Sequence, residues 1–330
     1  MRPLRHYLPD RVYLITARCF EERFFLSPDT AEVSLIVAST LAMTVEKYRL
    51  ELFAYVVMSN HIHLIVRAPE GGLPEAMQMF FSQVARRINV LRNRRGPVFS
   101  DRYHHQTICD EGALHTAIRY VLHNPLRAGL CESARSWAGL SSYTDTCESQ
   151  VILCTRRMRG AEVVWSMRRV PSNAPEAHGY DYEEKGDGIR EERFVLRCHP
   201  ASLLQGGDAN PAHNAFVASL LADEHKAAEL PSSVRLLAPA NERPPKPKRS
   251  RAPSCIASTS TARSQYVAER RSFVAAYRLA SARFRTGQDA TFPPGCCLPW
   301  PRLHSLLSSS DTYPVRAPIT GSPGAATVPT

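Results

Sequence analysis

Between residues 8 and 145 the chain alternates strand-like and helix-like stretches in the order β-α-β-β-α-β-α. That order predicts an α+β protein, a ferredoxin-like split βαβ sandwich with an antiparallel sheet and one additional helix. Three observations carry the prediction: β-branched runs bounded by turn residues, two long stretches with apolar residues every three or four positions, and a tight hairpin between the second and third strands.

Arg11 to Arg18 holds Val12, Tyr13, Leu14 and Ile15 in succession and reads as the first strand. Ser27-Pro28 opens the first helix, with Ser27 as cap and Pro28 in the first turn. Val33, Ile36, Val37 and Leu41 carry it at helical spacing to about Lys47. Leu50 to Met58 and His61 to Val66 read as two strands joined at Ser59-Asn60. Gly71-Gly72-Leu73-Pro74 begins the second helix, whose apolar positions run from Met77 through Phe80, Phe81, Val84 and Ile88 to Leu91, with the helix ending near Arg94. Val98 to Cys109 supplies a loop and another strand, and Asp110-Glu111 place acid in the first turn of a third helix that reaches Asn124-Pro125. Trp137, Ser141, Ser142 and Tyr143 close this first domain, 8–145.

Beyond it the pattern weakens, and the C-terminal half reads as largely irregular. Residues 146–260 form an extension with a linker rich in Pro, Ser and charge, at its most basic from Glu242 to Arg251. Residues 261–330 read as a basic helix, with Tyr266, Phe273, Ala276 and Tyr277 on one face, followed by a disordered Pro/Ser/Thr-rich tail from Ser308 onward.

A formal net charge of +10 over 330 residues favours a polyanionic partner, nucleic acid above all, although the basic tail contributes to the count. Nine cysteines, an odd number without a CxxC pair, speak against a disulfide framework or a structural zinc site. With no signal-peptide pattern and no membrane-length apolar run, the expectation is a soluble cytoplasmic protein without a membrane partner. No Walker-type phosphate loop and no serine-hydrolase arrangement are present.

Chemistry concentrates at His61-Ile62-His63. Side chains alternate along a strand, so both imidazoles leave the same face and can converge on one divalent cation. With 12 histidines in the chain, chance supplies about 0.4 such pairs, so the pair needs further ligands before it means anything. The third helix offers them. Leu114, Ile118, Val121 and Leu122 mark its core face, while Tyr120 and Asn124, four apart, share another with the small Ala113 and Ala117. Two imidazoles and an amide oxygen suit Mg²⁺ or Mn²⁺, and a tyrosine hydroxyl can attack a phosphodiester to form a phosphotyrosine. An ordinary helix carrying a half-buried tyrosine is the alternative that the residues alone leave open.

Three blocks narrow the choice: Met58-Ser59-Asn60-His61-Ile62-His63-Leu64-Ile65, then Gly96-Pro97-Val98-Phe99-Ser100-Asp101-Arg102-Tyr103-His104, then Ile118-Arg119-Tyr120-Val121-Leu122-His123-Asn124-Pro125-Leu126-Arg127-Ala128-Gly129-Leu130. In this order and spacing they resemble the single-tyrosine HUH transposases of insertion-sequence type, and among these the REP-associated tyrosine transposases. The resemblance implies that His61 and His63 are metal ligands, that Tyr120 is the nucleophile on a catalytic helix, and that Asn124 completes the metal site for Mg²⁺ or Mn²⁺. It further implies cleavage of single-stranded DNA beside hairpins formed by palindromic repeats, with the 5′ phosphate held on tyrosine and rejoining without ATP. Ser59 stands where the family usually has proline, His123 is unusual beside Asn124, and no role carries over to the long C-terminal half.

Other residues compete for roles. Tyr103 is the rival nucleophile, though packing or base stacking, together with Phe99, suits its strand-like setting better. His104, His105 and His115 are further candidate ligands, against ordinary solvated histidines. Arg86, Arg87, Arg92, Arg94, Arg95 and Arg102 read either as a solvated helix end or as a phosphate-tracking surface. Two other functions remain in view: a domesticated hairpin-DNA-binding protein without cleavage, and a replication initiator or relaxase of the same chemistry. The sequence does not choose between monomer and homodimer.

Overall fold

Strand β1 (Val12–Arg18) takes the central place of a five-stranded sheet with the order β2-β3-β1-β4-β9. Its neighbours are β3 (His61–Arg67) and β4 (His104–Ile108), both antiparallel, while β2 (Glu51–Met58) completes the hairpin with β3. The short β9 (Cys255–Ile256) joins the far edge in parallel. This is a computed structural model, and it describes residues 4–185, 188–200, 209–228, 254–296 and 313–315. The chain divides into two units, Pro9–Arg263 and Met1–Leu8 with Ser264–Thr330.

The α+β sandwich expected from the sequence is present. Helix α1 (Ala31–Tyr48) and helix α2 (Leu73–Leu91) pack against each other. Helix α3 (Glu111–Leu122) packs on the sheet through Leu114, Ile118, Val121 and Leu122, in one core with Val12, Leu14, Val56, Met58 and Ile65. The first helix starts at Ala31, three residues beyond Pro28, with Thr30 in an extended conformation at its N-cap. The third ends at Leu122, because Pro125 has no N–H to continue the ladder. It gives way to a four-residue turn, α4 (Asn124–Arg127), in which proline fits the first positions.

The edge strand β2 is covered by the segment carrying Trp137 to Ser142. Val57 donates to the Leu140 carbonyl at 2.8 Å, Ser142 N–H to the Tyr55 carbonyl at 3.0 Å, and the Trp137 indole to the Val57 carbonyl at 3.2 Å. An edge paired in this way offers no template to another chain. A short helix, α5 (Tyr143–Cys147), then brings Asp145 under β2, where Tyr55 donates its hydroxyl to one carboxylate oxygen and Arg169 pairs with the other at 2.9 Å.

Residues 150–196 correct the expectation of a linker-like extension. They form a four-stranded antiparallel sheet, β5 (Gln150–Arg159), β6 (Glu162–Pro171), β7 (Asp181–Lys185) and β8 (Ile189–Leu196), in the order β6-β5-β8-β7. This sheet packs on α1 through β5, β6 and β8. The reason lies in α1, which buries Val33, Ile36, Val37, Leu41 and also Ala38, Ser39, Thr40, Ala42 and Thr44. A helix apolar on every side needs cover on every side. Its hydroxyls cost little there, since Ser39, Thr40 and Thr44 each donate to the carbonyl four residues back, at 2.6, 2.6 and 2.7 Å. Beyond the sheet lies α6 (Ala209–Ala228), whose Phe216 and Leu220 join the α3 core.

In the smaller unit, α7 (Ser260–Arg285) buries Phe273 and Ala280 against β10 (Ala290–Phe292), with Tyr277 at the rim. Ala276, expected on the same face, is exposed. His6 stacks on Phe273 at 3.9 Å, and Tyr7 donates to the Gly295 carbonyl at 2.9 Å. Gly295 has φ of 72°, and an added Cβ there would overlap the Tyr7 backbone. Within the tail expected to be disordered, β11 (Tyr313–Val315) pairs with β10. The rest of that tail and the basic stretch from Glu242 to Arg251 lie outside the described residues. No helix among the described residues is long and apolar enough to cross a membrane, and their cysteines are free thiols.

Candidate active site

The pleat of β3 decides where the two histidines point. Across β1, Thr16 faces His63 and Arg18 faces His61, and across β2 Val56 and Met58 face the same two residues. Val56 and Met58 belong to the core beneath α3, so both imidazoles stand on the α3 side of the sheet. Their rings meet edge to face at 4.8 Å.

Each ring is fixed through Nδ1. For His61 the partner is Asn60 Oδ1 at 2.7 Å, and Asn60 donates its amide Nδ2 to the Glu22 carbonyl at 3.2 Å. The carbonyl contact settles which way the amide faces, so His61 carries its proton on Nδ1 and leaves a lone pair on Nε2. For His63 the partner is Thr16 Oγ1 at 2.9 Å. Such outer hydrogen bonds orient a histidine for ligation. The turn that positions them is intact with Ser59 in the proline place, since Leu26 donates to the Ser59 carbonyl at 2.9 Å and Cys19 to that of Asn60 at 2.7 Å.

Burial holds the His61 imidazole down to about 4, with the Arg18 charge adding to it and a hydrogen bond with the Asn124 side chain opposing. Burial, then the neighbouring His61 and Arg18, keeps His63 well below the usual imidazole range. Both rings are therefore neutral at neutral pH, the state a metal ligand requires.

Helix α3 delivers the other two groups. Asp110 caps it, accepting from the Ala113 N–H at 2.8 Å. Ala113 and Ala117 are buried in the core between helix and sheet, where their small size serves close approach. Tyr120 sits one turn on, 37% exposed, with its ring 5.5 Å from that of His63. Asn124, in α4, is buried and reaches His61 through the hydrogen bond noted above. Two imidazole nitrogens and an amide oxygen form a donor set that fits a divalent cation, and oxygens of solvent or substrate would have to fill the remaining positions. The described residues hold no cluster of three or more His, Cys, Asp or Glu ligands that would compete.

Residues 18–124 match the family model described as "Transposase IS200 like". That stretch is similar to IS200-like transposases. It takes in His61, His63, Tyr120 and Asn124. A curated protein of Haemophilus influenzae named "Putative REP-associated tyrosine transposase" is 25% identical over 118 residues, which cover 32% of this chain and 67% of that protein. A solved structure titled as a REP-associated tyrosine transposase bound to a REP hairpin aligns at 15% identity with a TM-score of 0.38, covering 45% of this chain and 86% of that one.

The arginines expected along the second helix separate into two groups. Arg87 is turned inward, donating to Ile36 O, Ser39 Oγ and Thr40 Oγ1 of α1 and lying 5.4 Å from the Trp165 ring of β6. Arg92 forks onto Asp29 at 2.6 and 2.7 Å. Arg94 lies 3.9 Å over the Phe25 ring and donates to Asn89 and the Pro97 carbonyl. These three join protein to protein, which corrects the reading of the whole cluster as a phosphate track. Arg86, Arg95 and Arg102 are exposed. Tyr103 is buried and stacked on Phe81 at 5.8 Å, beside Phe99. His123 is buried with its ring 6.2 Å from Tyr143, and His115 stacks on Phe216 at 4.7 Å, so neither joins His61 and His63. His104 is exposed on β4, opposite Thr16 and a strand further from His63, with His105 beside it.

Sequence reasoning missed four residues here: Thr16 and Asn60, which orient the imidazoles, and Arg18 and Arg127, which flank them. Register alone would have found Thr16 and Arg18, since they are the cross-strand partners of His63 and His61 once β1 is paired with β3.

Proposed function

We propose that the transposase domain cleaves and rejoins single-stranded DNA next to hairpins formed by palindromic repeats, using Tyr120 as nucleophile. The observation that carries this reading is a solvent-reaching tyrosine in ring contact with His63, one of a buried histidine pair whose rings Thr16 and Asn60 orient. Tyr120 Oη forms a bond to phosphorus while the bond to the 3′ oxygen breaks. The phenolic proton passes to solvent and the departing 3′ oxygen takes one from solvent, so no redox change occurs. One phosphoester replaces another, so the reverse attack by a 3′ hydroxyl rejoins strands without ATP.

His61, His63 and Asn124 would hold Mg²⁺ or Mn²⁺, which supplies neutralisation of charge developing on the phosphate. Thr16 and Asn60 keep the two ligating nitrogens aimed, and the alanines of α3 hold Tyr120 against them. The hairpin substrate follows the motif resemblance, and a cytoplasmic setting is part of the same proposal.

The test is a denaturing gel of purified protein with single-stranded hairpin oligonucleotides drawn from repeats flanking the gene, with Mg²⁺, Mn²⁺ or chelator. A metal-dependent covalent adduct that Tyr120→Phe abolishes and Tyr103→Phe retains is expected. Tight, salt-sensitive hairpin binding without any adduct would instead mark a DNA-binding protein that has lost cleavage.

A further inference from the structure

Positive charge stands around the histidine pair, and among the described residues its two arginines pair with no carboxylate. Arg18 extends from the residue opposite His61, on the same side of the sheet, and its charge acts on both imidazoles. Arg127 lies on the other flank, its guanidinium 5.4 Å from the centre of the Tyr120 ring. Both side chains are exposed. Unlike Arg92 or Arg119, which pair with Asp29 and Asp223, neither pairs with a carboxylate among the described residues. Two cations beside two imidazoles and a tyrosine describe a site whose absent component is an anion.

We propose that Arg18 and Arg127 grip the backbone of the bound single strand on the two sides of the Tyr120–histidine pair, each on a phosphate. Arginine suits the task because its planar fork takes two phosphate oxygens at once. Arg127 has a second effect through its ring contact: a guanidinium over the face of Tyr120 steadies the ring against the strand it attacks. The inference rests on the DNA-cleavage reading above and adds the residues that hold the DNA. It also replaces Arg87, Arg92 and Arg94, whose guanidinia are committed within the protein, as the primary phosphate contacts.

Salt dependence of binding tests this directly. Affinity for a single-stranded hairpin oligonucleotide is measured from low to high salt for wild type, Arg18→Ala, Arg127→Ala, Arg18→Lys and Arg127→Lys. Arg190→Ala, an exposed position on β8, serves as a control for net charge. Each lost phosphate contact should flatten the slope of log affinity against log salt by about 0.7, while the lysine variants keep it and the control does not change it. Melting curves confirm that the variants fold. Unchanged slopes in both alanine variants, or an equal change in Arg190→Ala, would overturn the inference even where wild type forms its Tyr120 adduct. If wild type shows neither adduct nor salt-sensitive binding, the cleavage reading fails and this inference falls with it.

Discussion

Thr16 shows how much of this site depends on residues that never meet substrate. Its hydroxyl is the Nδ1 partner of His63, as Asn60 is that of His61. Without it the buried ring keeps its position in the strand but loses the contact that fixes its rotation and tautomer. Thr16→Val preserves shape and β-branching, so the sheet should be undisturbed. Mn²⁺ affinity, read by titration calorimetry on the purified chain, should fall by about tenfold. An unchanged affinity would show that the hydroxyl does not orient a ligand. Arginine roles at this scale were the least legible in the sequence. Arg86 and Arg87 are neighbours, yet one is exposed and the other spans from α2 to three acceptors on α1 and to Trp165. Only the packed structure tells a solvated guanidinium from one used as a strut.

Among the elements, those of residues 8–145 were readable because their periodicities are local. The hairpin β2–β3 lies where the apolar run and the Ser59-Asn60 turn put it, and the Leu114, Ile118, Val121 and Leu122 stripe is the buried face of α3. The β5–β8 sheet was not readable, since it buries an apolar end at Val151–Cys154 and then continues as alternating charge. Its outer rows close through ion pairs instead: Glu191, 6% exposed, takes Lys185, Arg157 and Arg193. Hydrogen bonds from Lys185 and then from Arg157 and Arg193 bring its carboxyl from 4.5 to about 2 against the opposing effect of burial. A folded value below the unfolded one means the unfolded chain takes up the proton first as pH falls. The stabilisation is complete above 4.5 and is lost as pH falls through about 2. At neutral pH Glu191→Gln should cost about 1 kcal/mol. Denaturant unfolding followed from pH 6 downward should show wild type and variant converging below the ordinary glutamate range. A gap that stays constant with pH would contradict this role.

For the molecule as a whole, the same α1 helix accounts for both what the sequence revealed and what it hid. Val33, Ile36, Val37 and Leu41 made one stripe visible, and Ala38, Ala42 and the self-bonded hydroxyls of Ser39, Thr40 and Thr44 made a second face that needs cover. With β5, β6 and β8 over that face, the larger unit runs from Pro9 to Arg263. The catalytic reading uses a small part of it: two strands, one helix and the turn after it. The core that α3 shares with β1, β2 and β3 holds it on the sheet, so that a tyrosine distant in sequence meets the histidine pair. The most direct measurement is therefore mass spectrometry of protein digested after reaction with a single-stranded hairpin oligonucleotide and Mn²⁺. The nucleotide-bearing peptide should carry its phosphate on Tyr120. A phosphate on Tyr103 or any other residue, or no modified peptide under conditions where the DNA is cut, would contradict the assignment.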